Sequence, residues 1–358
     1  MLKVKKDYTY ALVCPTSMGV RLTPINRMPV HTSSIYQMES TSAESNVLNV
    51  SASLGLRTKV LTTFVKDSPI ASFIQAELRK RNIEYDGKCV EQGNPWGYRH
   101  QINIADSGYG MRGPRVCNDR AGEVGRTLNI KDFDLKKLFV TDGVAILHIS
   151  GLIAALSPET SVFCLELARE AKKNGTLISF DLNYRASFWI NREQELSAIF
   201  KEIASLSDIL IGNEEDFQLA LGVKGPDAGG KGLNAKIEGF KGMIERVRKQ
   251  YPATSVFATT LREVVSANEH IWGAIVYTEG QWFVEEPRNI QVLDRIGGGD
   301  GFVAGLLYAI IKGFDVEQWI QFGWATGVLA TTVLTDFATP ADEAQVWSIY
   351  QGNARVKR

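Results

Sequence analysis

The residues best equipped for chemistry stand in one run, Asp294-Arg-Ile-Gly-Gly-Gly-Asp300-Gly-Phe-Val-Ala-Gly-Leu-Leu-Tyr. Three glycines precede an acid, and the sequence then turns strongly helical. Backbone N–H groups can crowd around an anion only where side chains are absent, and a helix N-terminus adds unpaired donors and about half a positive charge. Gly297, Gly298 and Gly299 therefore read as an anion hole. Asp300 is the odd member, because a carboxylate facing a phosphate is repelled unless its task is to take the proton of an attacking hydroxyl. That combination suits phosphoryl transfer to an alcohol. The plainer reading is a tight glycine turn whose aspartate caps the helix. Two other phosphate motifs are excluded. A Walker loop ends in Gly-Lys-Ser/Thr, which the run lacks, and Gly-x-Gly-x-x-Gly fails because Phe302 holds its last position.

Such residues need a frame, and the hydrophobic periodicity supplies one. Strands are predicted at Tyr8 to Val13, Lys59 to Phe64, Ala145 to Ile149, Leu177 to Asp181, Ile209 to Ile211 and Ser255 to Thr259. Apolar residues at three- and four-residue intervals predict helices at Ile70 to Arg81, Pro158 to Lys173, Glu193 to Leu206 and Lys241 to Lys249. The alternation indicates an α/β fold, a doubly wound, mostly parallel sheet with helices on both faces. Two segments break it, about 15–37 and 88–127, the second rich in Gly, Arg, Tyr and Asn. Gly97 to Ile104 alternates like a half-exposed strand. Both segments are read as a small β lid inserted in one domain spanning 1–358, since no repeat or low-complexity linker divides the chain.

At 358 residues, with 44% hydrophobic and 22% charged, the chain has the composition of a folded globular protein. Lys plus Arg and Asp plus Glu each total 40, so no net field draws it to nucleic acid or to an anionic membrane. Cys14, Cys89, Cys117 and Cys164 lie far apart with no Cys-x-x-Cys pair, and are expected to be reduced, buried and inert. His31, His100, His148 and His270 lack the i, i+4 spacing of a metal pair, and each is given a structural role. The basic N-terminus leads into no apolar stretch, and Phe302 to Ile311 is halted by Lys312, well short of the roughly 20 residues of a membrane span. The expected address is cytoplasmic.

The glycine run resembles the C-terminal motif of the PfkB (ribokinase-like) carbohydrate kinases. Ser179-Phe-Asp-Leu-Asn-Tyr-Arg185, Gly212-Asn-Glu-Glu-Asp216-Phe, Val116-Cys-Asn-Asp-Arg-Ala-Gly122 and Ala258-Thr-Thr-Leu-Arg-Glu263 look like the 2-keto-3-deoxygluconate kinase branch. The similarity runs from about Tyr8 to about Tyr350. It implies transfer of the ATP γ-phosphoryl group to a sugar hydroxyl, with Asp300 as general base and the Gly297, Gly298 and Gly299 amides stabilising charge. The acceptor it implies first is 2-keto-3-deoxygluconate, giving the 6-phosphate. Asn213 and Asp216 fall on the family's Asn-x-x-Glu pattern, whose carboxylate organises Mg2+ and phosphates, often through water; Asp is one methylene shorter. Arg185 is implied to meet substrate or γ-phosphate. Thr260 and Arg262 lie in a segment like the nucleotide-binding strand and loop, without its usual glycines. On the sugar side the resemblance points to Ser42, Asn46, Tyr98, Asn118, Arg120 and Asp336. Asn46 alternatively reads as a helix cap, and Arg120 as half of a lid salt bridge with Asp119.

The sequence departs from that pattern in three places. Thr16-Ser17 stands where Gly-Glu or Gly-Asp is usual, Thr41-Ser42 where Gly-Gly is usual, and Glu123 where a small Ser is usual. Glycine lets backbone approach a ligand and a β-branched Thr does not, while an added charge at Glu123 is expected to disfavour a bound carboxylate. All three lie on the sugar side, so a shifted acceptor is expected, with fructokinase or 5-dehydro-2-deoxygluconokinase activity as alternatives. A sugar-acid-binding relative without catalysis is a further reading. A nicotinamide-dependent dehydrogenase rests on fold class alone and lacks the glycine spacing. One apolar lid face could pair two copies into a homodimer.

Overall fold

Strand formation follows the apolar runs closely. In chain order the strands are β1 (Tyr10–Pro15), β2 (Gly19–Pro24), β3 (Tyr36–Thr41), β4 (Thr58–Val65), β5 (Ile83–Val90), β6 (Gln101–Asp106), β7 (Arg115–Asp119), β8 (Val144–Ser150), β9 (Leu177–Asp181), β10 (Ile209–Ile211), β11 (Val256–Val264), β12 (Glu269–Thr278) and β13 (Gln281–Gln291). The structure, a computed structural model, describes residues 2–225 and 233–355. The chain divides into two units.

Unit 1 comprises Met1–Pro15, Arg126–Arg262 and Gly273–Pro287. Its strands follow the order β13-β12-β11-β10-β9-β8-β1, and β1, β8, β9, β10 and β11 pair in parallel, each with the next. Every residue of β8 is buried, as expected of a strand covered on both faces. Within it His148 lies 3.0 Å from Ser179 Oγ on β9, and burial lowers its pKa to about 3, which makes it a neutral structural group. The helix Pro158–Lys173 starts where the sequence says it should. Pro158 occupies the first turn, and Ser157 and Thr160 form a reciprocal capping box. The helix Leu233–Gln250 begins eight residues before the predicted Lys241.

Unit 2 comprises Thr16–Gly125, Glu263–Trp272 and Arg288–Arg358. It contains the parallel pair β4 and β5 and a separate four-stranded sheet in the order β3-β2-β6-β7. In that small sheet β2 pairs antiparallel with β3 and parallel with β6, and β6 pairs antiparallel with β7. This is the lid. Its first segment extends past residue 37, because Glu39, Ser40 and Thr41 pair with Arg21, Val20 and Gly19. Residues 88–90 belong to β5, and the strand predicted from Gly97 begins only at Gln101, after a turn closed by Gly97 N–H to the Asn94 carbonyl.

The glycines after Asp300 serve helix packing. A Cβ at Gly305 would lie 2.0 Å from Thr326 Oγ1, whose hydroxyl donates to the Gly301 carbonyl at 2.8 Å, so the helices Gly298–Lys312 and Val316–Thr331 touch through backbone. The expectation of four buried cysteines is corrected. Cys14 and Cys164 are buried, but Cys89 and Cys117 are exposed, since each points outward from a strand with a solvated face. Among the described residues no helix is long and apolar enough to cross a membrane.

Candidate active site

The glycine run turns directly into a helix. Gly297 is the N-cap of Gly298–Lys312, in the left-handed region at φ 82°, and no side chain caps that end. Asp300 therefore sits in the first helical turn and is not the cap that the plainer sequence reading offered. Each glycine has its own reason. A Cβ at Gly297 would fall 1.8 Å from the Asp336 carbonyl oxygen and one at Gly298 would fall 2.3 Å from Trp272 Cη2, whereas one at Gly299 meets nothing within 4 Å. The first two residues are glycine for packing. The third is exposed and leaves its face of the turn open. Asp300 is half-buried, and its Oδ2 accepts from Asn46 Nδ2 at 2.9 Å.

A buried ionic cluster holds this turn from below. Arg21 on β2 is ion-paired through Nη2 with Asp294 and through Nη1 with Asp336. All three residues are buried. Asp294 Oδ1 also accepts from Ile296 N–H at 3.0 Å, and Asp336 Oδ2 accepts from Thr41 Oγ1 at 2.5 Å. Burial alone would lower the pKa of Arg21, but Asp336 and Asp294 outweigh it and hold the guanidinium above its ordinary value. Across the ladder from Arg21 lies Glu39, whose pKa is pushed up to about 8, first by burial and then by Asp336, against the pull of Arg21 and Arg81. Both its carboxyl oxygens are buried with no hydrogen-bond partner. Arg81 in turn is lowered to about 10 by burial, donates from Nε to Asn49 Oδ1 at 2.7 Å and lies 3.7 Å over the Phe337 ring. With Glu39 protonated, two arginines face two aspartates and the cluster is neutral.

Sequence reasoning missed Arg21, Glu39, Arg81 and Asp294. The available signal was a charged residue inside the otherwise apolar Gly-Val-Arg-Leu of β2. Asp336, assigned to substrate, has its carboxylate engaged by Arg21 and Thr41.

The helix Ala43–Ser53 is capped by Ser42, whose side chain accepts from Ser45 N–H at 3.0 Å. The alternative reading of Asn46 as the cap is thus corrected, since Asn46 lies inside the helix, 3% exposed, with its Oδ1 buried and lacking a hydrogen-bond partner. The departures from the usual pattern turn out to be paired with one another or with acids. Thr16 Oγ1 donates to Glu44 Oε2 at 2.6 Å, and Ser17 Oγ donates to Glu123 Oε1 at 2.5 Å. Arg120 forms its ion pair with Glu123 at 2.8 Å, while Asp119 pairs with Arg99. The expected lid bridge of Arg120 to Asp119 is therefore replaced by one to Glu123, and the added charge at Glu123 is compensated where it stands. Tyr98 and Asn118 are exposed.

In unit 1, Asn213 caps the helix Glu214–Leu221. Its Oδ1 accepts from Asp216 N–H at 3.0 Å, and Asp216 Oδ2 accepts from Asn213 N–H at 2.8 Å. Asp216 Oδ1 accepts from Tyr184 N–H at 2.9 Å. Burial raises the Asp216 pKa against these two backbone donors and the charge of Arg185. Arg185 is exposed and donates from Nη1 to the Tyr184 carbonyl at 2.8 Å. Thr260 and Arg262 lie on β11, the first half-buried and the second exposed. Among the described residues no group of three or more His, Cys, Asp or Glu could hold a metal.

Residues 128–336 match the pfkB family of carbohydrate kinases, which is more than half of the chain. The chain belongs to that family.

This pfkB-family sugar kinase is 25% identical over 341 residues to the 2-dehydro-3-deoxygalactonokinase of Haloferax volcanii, covering 95% of this chain and 96% of that one. It is 28% identical over 290 residues to the 5-dehydro-2-deoxygluconokinase of Shouchella clausii, covering 80% and 79%. Among solved structures, the 2-dehydro-3-deoxygluconokinase of Thermotoga maritima is similar at a TM-score of 0.86 and 27% identity, over 96% of this chain and 100% of that one. The fold of the kinase is accordingly ribokinase-like, a large, mostly parallel sheet with helices and a separate small lid sheet. Within unit 2 the structure brings together Asp300 and Asn46, and separately Arg120, Glu123 and Ser17.

Proposed function

We propose that this kinase transfers the γ-phosphoryl group of ATP to a hydroxyl of a keto-deoxy sugar acid, 2-keto-3-deoxygluconate first and 5-dehydro-2-deoxygluconate or a neutral ketohexose next. The observation that carries the reading is the half-buried Asp300 carboxylate beside the open Gly299 face, with Oδ2 held by Asn46. In the reaction the acceptor hydroxyl gives its proton to Asp300 as its oxygen bonds to the γ-phosphorus, and the bond from that phosphorus to the ADP oxygen breaks. Amides at the start of the helix Gly298–Lys312 would stabilise the charge on the moving group. Asn46 Oδ1, buried and lacking a partner, suits a second hydroxyl of a polyhydroxy acceptor.

Mg2+ brought in with the nucleotide would neutralise phosphate charge. Asp216 suits an indirect role toward it, since each of its oxygens already accepts a backbone N–H, which leaves contact through water. Asn213 orients Asp216, while Arg185 is assigned to the phosphate and Thr260 and Arg262 to the nucleotide. Purified protein with Mg-ATP, assayed for ADP release over 2-keto-3-deoxygluconate, 5-dehydro-2-deoxygluconate and fructose, tests the reading. Turnover with at least one acceptor is expected, and none with any of them from folded protein would contradict it.

A further inference from the structure

Arg21 lies on β2 and is 1% exposed. Its Nε is buried with no hydrogen-bond partner among the described residues, so the burial of this cation is offset through its two Nη atoms, which reach Asp294 and Asp336. Both aspartates border the glycine turn within unit 2. Asp294 Oδ1 accepts from Ile296 N–H at 3.0 Å, and its own N–H donates to the Thr331 carbonyl at 3.2 Å. The Asp336 carbonyl packs where Gly297 leaves no room for a side chain, 1.8 Å from a Cβ placed there. The second carboxylate oxygen of Asp336 leads to another element. It accepts from Thr41 Oγ1 at 2.5 Å, and Thr41 immediately precedes Ser42, the cap of the helix Ala43–Ser53 from which Asn46 donates to Asp300. One guanidinium is thus tied by short links to both sides of the contact between Asn46 and Asp300.

We infer that Arg21 is a positioning residue for Asp300: its grip on Asp294 and Asp336 fixes the glycine turn against the helix that carries Asn46, and so sets where the proton-accepting carboxylate stands. The inference rests on the kinase reading above and deepens it by naming what orients the base. Proton transfer depends on placement at the scale of an ångström. A planar guanidinium holds two carboxylates in a fixed fork, whereas a lysine ammonium is a point charge on a flexible stem. The two carry the same charge, so exchanging them changes geometry alone.

The test is single-turnover phosphoryl transfer, with Mg-ATP and the acceptor that the wild-type protein turns over best, in Arg21→Lys alone and combined with Asp300→Ala. Arg21→Lys is expected to slow transfer about tenfold or more while the apparent ATP affinity stays within about threefold of the wild type. In the Asp300→Ala background the same change should alter the rate by less than about threefold, because no base remains to be misplaced. An arginine that only stabilises the fold would lower the midpoint of thermal unfolding and leave the rate per folded molecule unchanged, and that result overturns the inference. An equal loss in both backgrounds overturns it as well. If Arg21→Lys does not fold by circular dichroism, Arg21→Met/Asp336→Asn carries the test, since removing one charge of each sign leaves the cluster neutral. This variant should slow transfer about tenfold or more, and a wild-type rate would overturn the inference. Absence of ADP formation from every acceptor with the wild-type protein is a different result, and it removes the kinase reading itself.

Discussion

Asn46 Nδ2 donates to Asp300 Oδ2 at 2.9 Å, joining the helix Ala43–Ser53 to the start of the helix behind the glycine run. A carboxylate that must take a proton in one direction gains from having an oxygen fixed, because orientation is then set before the acceptor arrives.

Replacing Asn46 separates orientation from folding. Asn46→Leu is expected to lower kcat about 10- to 100-fold with the KM for ATP nearly unchanged. Asn46→Asp sets two carboxylates side by side, so the acidic limb of the pH–rate profile should move to higher pH. A loss of kcat in Asn46→Asp with an unmoved acidic limb would show that the contact does not reach the base.

Glu39 makes stability depend on pH with a definite sign. Its folded pKa of about 8 stands above the ordinary 4.5, so the unfolded chain ionises first as pH rises. The stability tied to the protonated form is full below about 4.5 and is lost progressively up to about 8, on the order of 4–5 kcal/mol. The groups facing Glu39 are Arg21, Arg81, Asp294 and Asp336. Glu39→Gln should flatten this decline, so that urea unfolding at pH 5 and pH 8 differs less in the variant than in the wild type. Equal pH dependence in both proteins would contradict the assignment.

The three glycines should respond differently to alanine. Gly297→Ala forces a side chain into the left-handed region and against the Asp336 carbonyl, and is expected to cost more than about 2 kcal/mol in stability. Gly299→Ala finds open space and should leave thermal stability within about 1 kcal/mol of the wild type, yet lower kcat by crowding the open face. Thermal unfolding beside steady-state kinetics separates the two, and a Gly299→Ala protein of normal kcat would place the anion elsewhere.

What the sequence made legible was local. Leu177–Asp181, Ile209–Ile211, Pro158–Lys173 and Glu193–Leu206 fall on the residues expected, because apolar period, caps and breakers are all read within a few positions. The same holds for the turn at Gly297 to Asp300. β5 and β13 escaped notice because charged and polar residues interrupt them, as in Ile-Glu-Tyr-Asp-Gly-Lys of β5. The buried cluster was invisible for another reason. Arg21 and Asp336 are 315 positions apart, and nothing near either residue announces the other. The changes at Ser17 and Glu123, 106 positions apart, likewise read as separate losses and become one compensated contact only in three dimensions.

The measurement closest to the central claim is single-turnover phosphoryl transfer by Asp300→Ala, with nucleotide affinity measured on the same protein. Loss of the base is expected to slow transfer by about 10²- to 10⁴-fold while nucleotide binding stays nearly intact. Transfer within about threefold of the wild-type rate would contradict a proton-accepting role for Asp300.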